Sequence, residues 1–265
     1  MGKSCIFEIK IIYLEGSKSY PGAKGVILTK GLRLLCSTDF MWGAELPEVV
    51  KLLVRSGCEG VVISTEPPHY LPSLLHRSVI SYLRTVVREL DTVVAVRSPV
   101  SDVNVFSTNP HIAEASMKSI EEAVRLAYSI NADFLVIRPS QRPYEGNPLV
   151  AARKLQALVT RMGRDQYAAF ELIGSNSKEI ADRLADPRLG VVYVHEHTPA
   201  SMLSHRKLVG VAVHTSDSKP LHRVIPGLRE DTPYLLLYPD ERRMFETAMI
   251  RRIVLRAKNW RNSLI

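Results

Sequence analysis

Five apolar runs in this chain end in the same way: VVAVR at Arg97, FLVIR at Arg138, AAFE at Glu171, GVVYVHEH at His197 and VGVAVHTSD at Asp217. A continuously apolar run of strand length is what a sheet strand covered by helices on both faces requires. When several such strands finish in charged or imidazole side chains, those ends converge on one pocket, as at the C-terminal mouth of a (β/α) barrel. The pattern therefore constrains the fold and the position of the site together.

Between the runs lie segments with helical spacing. GLRLLCSTDF (31–40) reads as a strand, ELPEVVKLLVRSG (45–57) as a helix closed by Gly57, CEGVVIS (58–64) as a strand and SLLHRSVISYLRTVVREL (73–90) as a helix. TVVAVR (92–97) precedes a helix from Pro110 to Ile130 whose apolar stripe is Ile112, Ala115, Ile120, Ala123, Val124 and Ala127. The alternation continues: ADFLVIR (132–138) with a helix over 148–162, QYAAFELI (166–173) with one over 177–185, and LGVVYVHEH (189–197) with a short one near 199–206. LVGVAVHTSD (208–217) enters a Pro-containing loop, and TPYLLLYP (232–239) leads into a helix over 241–260. Eight strand and helix units in 265 residues favour closure over an open sheet, so the expected fold is α/β, a single (β/α)8 TIM barrel spanning 1–265. Ahead of it, SCIFEIKIIY (4–13) and KGVILTK (24–30), joined by the turn-rich EGSKSYPGA, read as an N-terminal β-hairpin extension over 1–31.

The 46% hydrophobic content supports a sizeable core. No apolar run approaches the roughly 18 residues that span a bilayer. The opening MGKSCIFEIK lacks the long apolar stretch of a signal peptide, so a cytoplasmic protein with no membrane partner is the expectation. Cys5, Cys36 and Cys58 are odd in number, widely spaced and set in or beside apolar runs, which reads as small buried hydrophobes and not as a disulfide framework or metal site. A net charge of +8 and a pI near 9.4 favour anionic partners, whether phosphorylated metabolites, nucleic acid or acidic proteins. Few Asn and Gln, many Arg and plentiful loop Pro suit a thermophile.

Four segments carry a resemblance. They are RSPVSDVNVFSTNPHIAEASMKSIEEAVRLAYSINADFLVIRPS (97–140), FELIG (170–174), LGVVYVHEH (189–197), and VGVAVHTSD with the downstream His222. In order and spacing, across roughly 32–240, the chain resembles the xylose-isomerase-like barrel superfamily, which includes sugar-phosphate isomerases and epimerases and the apurinic-site endonucleases. The resemblance implies a small-molecule substrate at the barrel mouth, one divalent ion (Mn, Mg, Co or Zn) and, often, a homo-oligomer. It gives Glu171 and His214 as catalytic candidates, and Glu171, His197, His214 and Asp217 as metal ligands. Arg97 and Arg138, however, stand where it places two histidines, the sixth-strand Asp position falls on Val194, and the closing Glu of the eighth strand falls on Leu237 or Tyr238. A guanidinium has no lone pair to offer a cation, so a metal-free mouth is an equal expectation.

The residues themselves leave alternatives open. Arg97 and Arg138 on adjacent strands suit a fork for phosphate or carboxylate, and equally suit ion pairs in which Glu171 meets Arg138 and Asp217 meets Arg97. His195 and His197 share a strand face if the run stays extended, with Glu196 opposite. After the first strand, Asp39 and Trp42 lie at the same rim, where Trp42 can stack on a sugar ring or cover the core. Glu66 and His69 in STEPPHYLP suit either the pocket or a rigid loop. His76, His111 and His205 fall away from strand ends, and the basic face of ERRMFETAMIRRIVLRAKNWR reads as solvated. The expected activity is a sugar or sugar-phosphate isomerase or epimerase moving a proton beside a carbonyl. The alternatives are a non-catalytic or metal-free binding protein and, with too few zinc ligands to be favoured, abasic-site processing of nucleic acid.

Overall fold

A computed structural model of the chain describes residues 32–42, 44–67, 77–161, 167–215, 232–240 and 245–262. Eight parallel strands close into a barrel in sequence order: β1 (Arg33–Ser37), β2 (Gly60–Ser64), β3 (Val93–Arg97), β4 (Phe134–Ile137), β5 (Ala168–Glu171), β6 (Leu189–Val194), β7 (Leu208–Thr215) and β8 (Tyr234–Pro239). Outside them run α1 (Leu46–Arg55), α2 (Arg77–Leu90), α3 (Pro110–Ile130), α4 (Pro148–Arg161), α5 (Ser177–Asp182) and α6 (Thr247–Asn262), with 3-10 turns at Thr38–Phe40 and Ala200–Ser204. This is the expected TIM barrel. The hairpin expected over 1–31, and with it Cys5, lies outside the described residues.

Closure follows from two apolar faces on each strand. Leu35, Val62, Ala95, Val136, Ala169, Val192, Ala212 and Leu236 fill the barrel interior, while their chain neighbours, such as Leu34, Val61, Val94 and Leu135, pack outward against the helices. Interior residues alternate large and small so that layers fit inside a narrow cylinder. Gly60 is one of the small ones, because a Cβ there would lie 2.7 Å from both the Leu35 side chain and the Val93 carbonyl. The start of α3 is capped: the Asn109 side chain accepts from the His111 N–H ahead of Pro110, fixing the N-terminus of α3 at the barrel mouth.

One reading of the sequence is corrected here. Cys36 on β1 and Cys58 just ahead of β2 form a disulfide, with Cα atoms 6.1 Å apart, so these two are not merely small hydrophobes. Spacing alone could not show it, because the pairing arises when α1 folds back and brings the start of β2 beside β1. Among the described residues, no helix is long and apolar enough to cross a membrane.

Candidate active site

Strand parity decides what faces the mouth. Ala95 and Arg97, Val136 and Arg138, Ala169 and Glu171, Ala212 and His214, and Leu236 and Tyr238 each lie two residues apart, and the first of each pair is an interior residue. The second therefore sits one layer higher, at the C-terminal rim.

At the centre is Glu171, fully buried. Its Oε2 accepts a hydrogen bond from Arg97 Nη2 at 2.8 Å and lies 3.1 Å from Arg138 Nε. Its Oε1 accepts from the Tyr238 hydroxyl at 2.8 Å. The Arg97 guanidinium also lies over the Tyr238 ring, 4.0 Å from its centroid. Two cations thus share one carboxylate. Burial by itself would raise the Glu171 carboxyl, but the charges of Arg97 and then Arg138, helped by hydrogen bonds from Arg97 and Tyr238, hold it down to about 2. Tyr238 is pushed well above the ordinary phenol value by burial and then by the charge of Glu171, so it stays a donor.

The two arginines are not equivalent. Burial works against the charge of Arg97, but Glu171 outweighs it and the guanidinium is held more firmly protonated. Arg138 ends below its ordinary value, because burial and the like charge of Arg97 together exceed what Glu171 returns. Arg138 Nε, although 3.1 Å from Glu171, is not aligned for a hydrogen bond, and Nη2 has no partner. Arg138 is the under-compensated cation of the pair.

His214 stands at the edge of this cluster. Its ring is 5.6 Å from that of Tyr238, and its Nδ1 lies 3.4 Å from the Pro239 carbonyl. Burial first, and then the charge of Arg97, lower its pKa from the usual 6.5 against the opposing pull of Glu171, so the ring is neutral at physiological pH. His197 is exposed, with its ring 6.4 Å from that of His214 and edge-on to it. His195 does not join them. β6 ends at Val194, the inward residue, so His195 takes the outer side near Tyr193, and Glu196 turns the chain with φ 68°. The extended run that would have aligned His195 with His197 ends too early.

The remaining candidates separate clearly. Trp42 follows the 3-10 turn at the rim and is half-buried. Asp39, on that turn, is buried, and its charge contributes to holding Arg97 protonated. Glu66 is spent on the chain, accepting the backbone N–H groups of Val100 and, at 2.7 Å, Ser101. His205 belongs to the opposite end of the barrel, 3.0 Å from Asp182. Asp217, His69, His76 and His222 lie outside the described residues. Tyr238, which the sequence marks only as a position where a carboxylate is missing, turns out to complete the cluster; its place two residues past an interior Leu was the available signal.

No family model matches the sequence, and no curated protein does. Solved structures do match the fold. D-allulose 3-epimerase from Methylomonas sp. aligns with a TM-score of 0.62 at 12% identity, over 88% of this chain and 98% of that one. For 3-keto-D-glucoside 4-epimerase from E. coli the TM-score is 0.62 at 14% identity, over 88% and 99%. A xylose isomerase-like TIM barrel/4-hydroxyphenylpyruvate dioxygenase fusion protein aligns with a TM-score of 0.61 at 13% identity, over 85% of this chain and 42% of that one, so the chain spans less than half of the fusion. The fold is that of the xylose isomerase-like TIM barrels. In this barrel, both oxygens of Glu171 already face cations or a hydroxyl donor, and a divalent ion placed there would be a third cation on one carboxylate. Among the described residues, no three His, Cys, Asp or Glu side chains are grouped so as to hold a metal.

Proposed function

We propose that the protein binds a sugar or sugar phosphate at this mouth and moves a proton beside its carbonyl, as an isomerase or epimerase that uses guanidinium in place of a resident divalent ion. The observation that carries the reading is the under-compensated Arg138, with Nη2 unpartnered and Nε ion-paired to Glu171 but not hydrogen-bonded, beside a neutral His214. Removing a proton next to a carbonyl leaves charge on the carbonyl oxygen, and fixed N–H donors in a dry site stabilise that charge. Arg138 supplies the donors. His214 is the group whose protonation state suits a base near neutral pH, whereas Glu171, at about 2 and hydrogen-bonded on both oxygens, is a weak base that orients the arginines. An anionic substituent such as phosphate would be drawn by the same cations. The structural neighbours are named as sugar epimerases, which supports a sugar as the substrate class.

Proton exchange tests this directly. In D2O, with D-fructose, D-allulose and their 6-phosphates, NMR should detect deuterium entering beside the carbonyl of at least one sugar. The exchange should persist in EDTA and fall about 10²–10⁴-fold in His214→Gln, the usual range for loss of a positioned acid–base group. Because His214 works as the neutral ring with its pKa lowered, the rate should stay level down to pH 6.5 and decline only below it. Exchange abolished by EDTA and restored by a divalent ion would sink the metal-free mechanism. A second reading, a binding protein that holds such a sugar without turnover, is favoured by the saturation of Glu171, and binding without any exchange would establish it.

A further inference from the structure

Several buried polar atoms without a hydrogen-bond partner gather on one arc of the mouth, while Ser56 Oγ and Thr232 Oγ1 stand singly near strand starts at the other end. Among the described residues, Asp39 Oδ1, Ser64 Oγ, Arg97 Nε and Arg138 Nε and Nη2 are all buried without a hydrogen bond, Arg138 Nε having only its ion pair with Glu171, and all belong to the mouth, on the β1 to β4 side. Such atoms are rare in folded proteins because each costs its desolvation without a compensating bond, so several at one place call for a ligand or ordered water.

The first three of them come from adjacent elements, with Ser64 in register with Arg97 and the charge of Asp39 acting on Arg97. Ser64 ends β2 and is paired in register with Arg97 on β3; both follow interior residues by two positions, so their side chains stand side by side on the inner face. Asp39 arrives from the turn after β1, only 2% exposed, its Oδ2 already taken by the Ser37 hydroxyl at 3.0 Å and its Oδ1 left over. The corner therefore presents a carboxylate oxygen that accepts, a guanidinium Nε–H that donates, and a serine hydroxyl that does both. An anion would be repelled by Asp39 and a cation by Arg97. An alcohol hydroxyl, which donates and accepts at once, satisfies all three.

We infer that Asp39, Ser64 and Arg97 Nε form a hydroxyl-recognition subsite, so that a bound sugar lies with its hydroxyl-bearing end over β1 and β2 and its carbonyl or anionic end over Arg138. The inference rests on the sugar-binding reading above and adds the orientation of the ligand and the chemistry of its far end: a neutral polyol chain, with any phosphate or carboxylate confined to the β4 side. Asp39 and Ser64 are binding residues with no part in proton transfer.

Calorimetric titration with D-fructose, D-allulose, D-glucose and inorganic phosphate separates the two halves of the mouth. In Asp39→Asn, the affinity for the tightest-binding hexose should fall about 10-fold or more, as for loss of a hydrogen bond to a charged group, and in Ser64→Ala by a few-fold. Phosphate, which uses only the Arg138 half, should bind both variants within about 2-fold of wild type or, with the repulsion of Asp39 relieved, more tightly. Unchanged hexose binding in both variants would mean that water serves these atoms, and would overturn the subsite while leaving the parent reading intact. Equal loss of hexose and phosphate would overturn the division of the mouth. Failure of wild type to bind any of the four would overturn both. If Asp39→Asn does not fold, Ser64→Ala carries the same decision.

Discussion

The two ends of this barrel use charge in opposite ways. At the N-terminal end, carboxylates fasten strand starts: Glu59 Oε2 accepts the Leu34 N–H at 2.9 Å and pairs with Arg261 at 2.6 Å, Arg261 in turn donates to the Leu32 carbonyl, and Asp133 accepts the Val94 N–H at 2.7 Å. Asp186 pairs with Arg188, and Lys207 donates to the Asp186 carbonyl. These groups are partly exposed, and their partners are backbone atoms at strand starts and loops together with the Arg261 and Arg188 side chains. At the C-terminal end, Arg97, Glu171 and Arg138 are buried, tie strands to one another through side chains alone and still leave guanidinium N–H groups unmet. The charged fasteners are satisfied, whereas the charged groups of the site are left with atoms to spare. The contrast agrees with the division of labour in barrels of this class, where the lower face secures the fold and the upper face carries the chemistry.

The strongest way to break the comparison is to remove the carboxylate at the top. Glu171→Gln leaves two buried guanidiniums facing each other with only Asp39 beside Arg97 as a countercharge, and breaking a buried pair in this way costs about 3–5 kcal/mol. Chemical denaturation should register that loss in the midpoint. If Glu171→Gln costs under about 1 kcal/mol, the range of an exposed pair, the cluster is solvated and the mouth is no drier than the base.

Much of this was legible in the sequence, for physical reasons that also mark where reading stops. Arg97, Arg138 and Glu171 could be placed because each ends an unbroken apolar run, and a run buried on both faces has one place to put a charge, its end. The same reasoning failed for His195 and His197. It assumed an extended strand through 197, while the chain turns at Glu196, and parity means nothing once the chain has turned. The expected pairing of Arg97 with Asp217 falls outside the described residues, but both arginines meet on Glu171, which strand order across β3, β4 and β5 makes natural and sequence spacing does not reveal. The Asp39–Ser64 corner was harder still, since its signal is the absence of partners, a property of three dimensions.

The disulfide sharpens the comparison from outside the barrel, because it staples β1 to the start of β2 with no part in the mouth. Closing a loop across a sequence separation of 22 restricts the unfolded chain. The effect on stability is about 3 kcal/mol for a loop of this size. Thermal melts of wild type with and without reductant, beside Cys58→Ala, should show the reduced protein and the variant sharing a lower Tm by roughly 6–12 °C, taking about 2–4 °C per kcal/mol for a chain of this length. Sugar or phosphate affinity at a temperature where both are folded should not change. A reductant-independent Tm equal to that of Cys58→Ala would mean that the cysteines are thiols in the native protein.

The smallest effect belongs to the base, and its smallness is the informative part. Glu59→Gln removes one charge from a group that is about one-third exposed, whose pKa is lowered despite burial by its bonds to Arg261 and the Leu34 N–H. The amide can still accept from Leu34, and Arg261 keeps the Leu32 carbonyl. What is lost is an ion pair open to solvent, worth about 0–1 kcal/mol and less in high salt. The two carboxylates should therefore differ several-fold in denaturation midpoint shift, and salt should move the Glu59→Gln difference while leaving that of Glu171→Gln nearly unchanged, because only the buried pair is beyond the reach of screening ions. Equal and equally salt-sensitive losses at both ends would erase the distinction between fastener and site on which the functional reading stands.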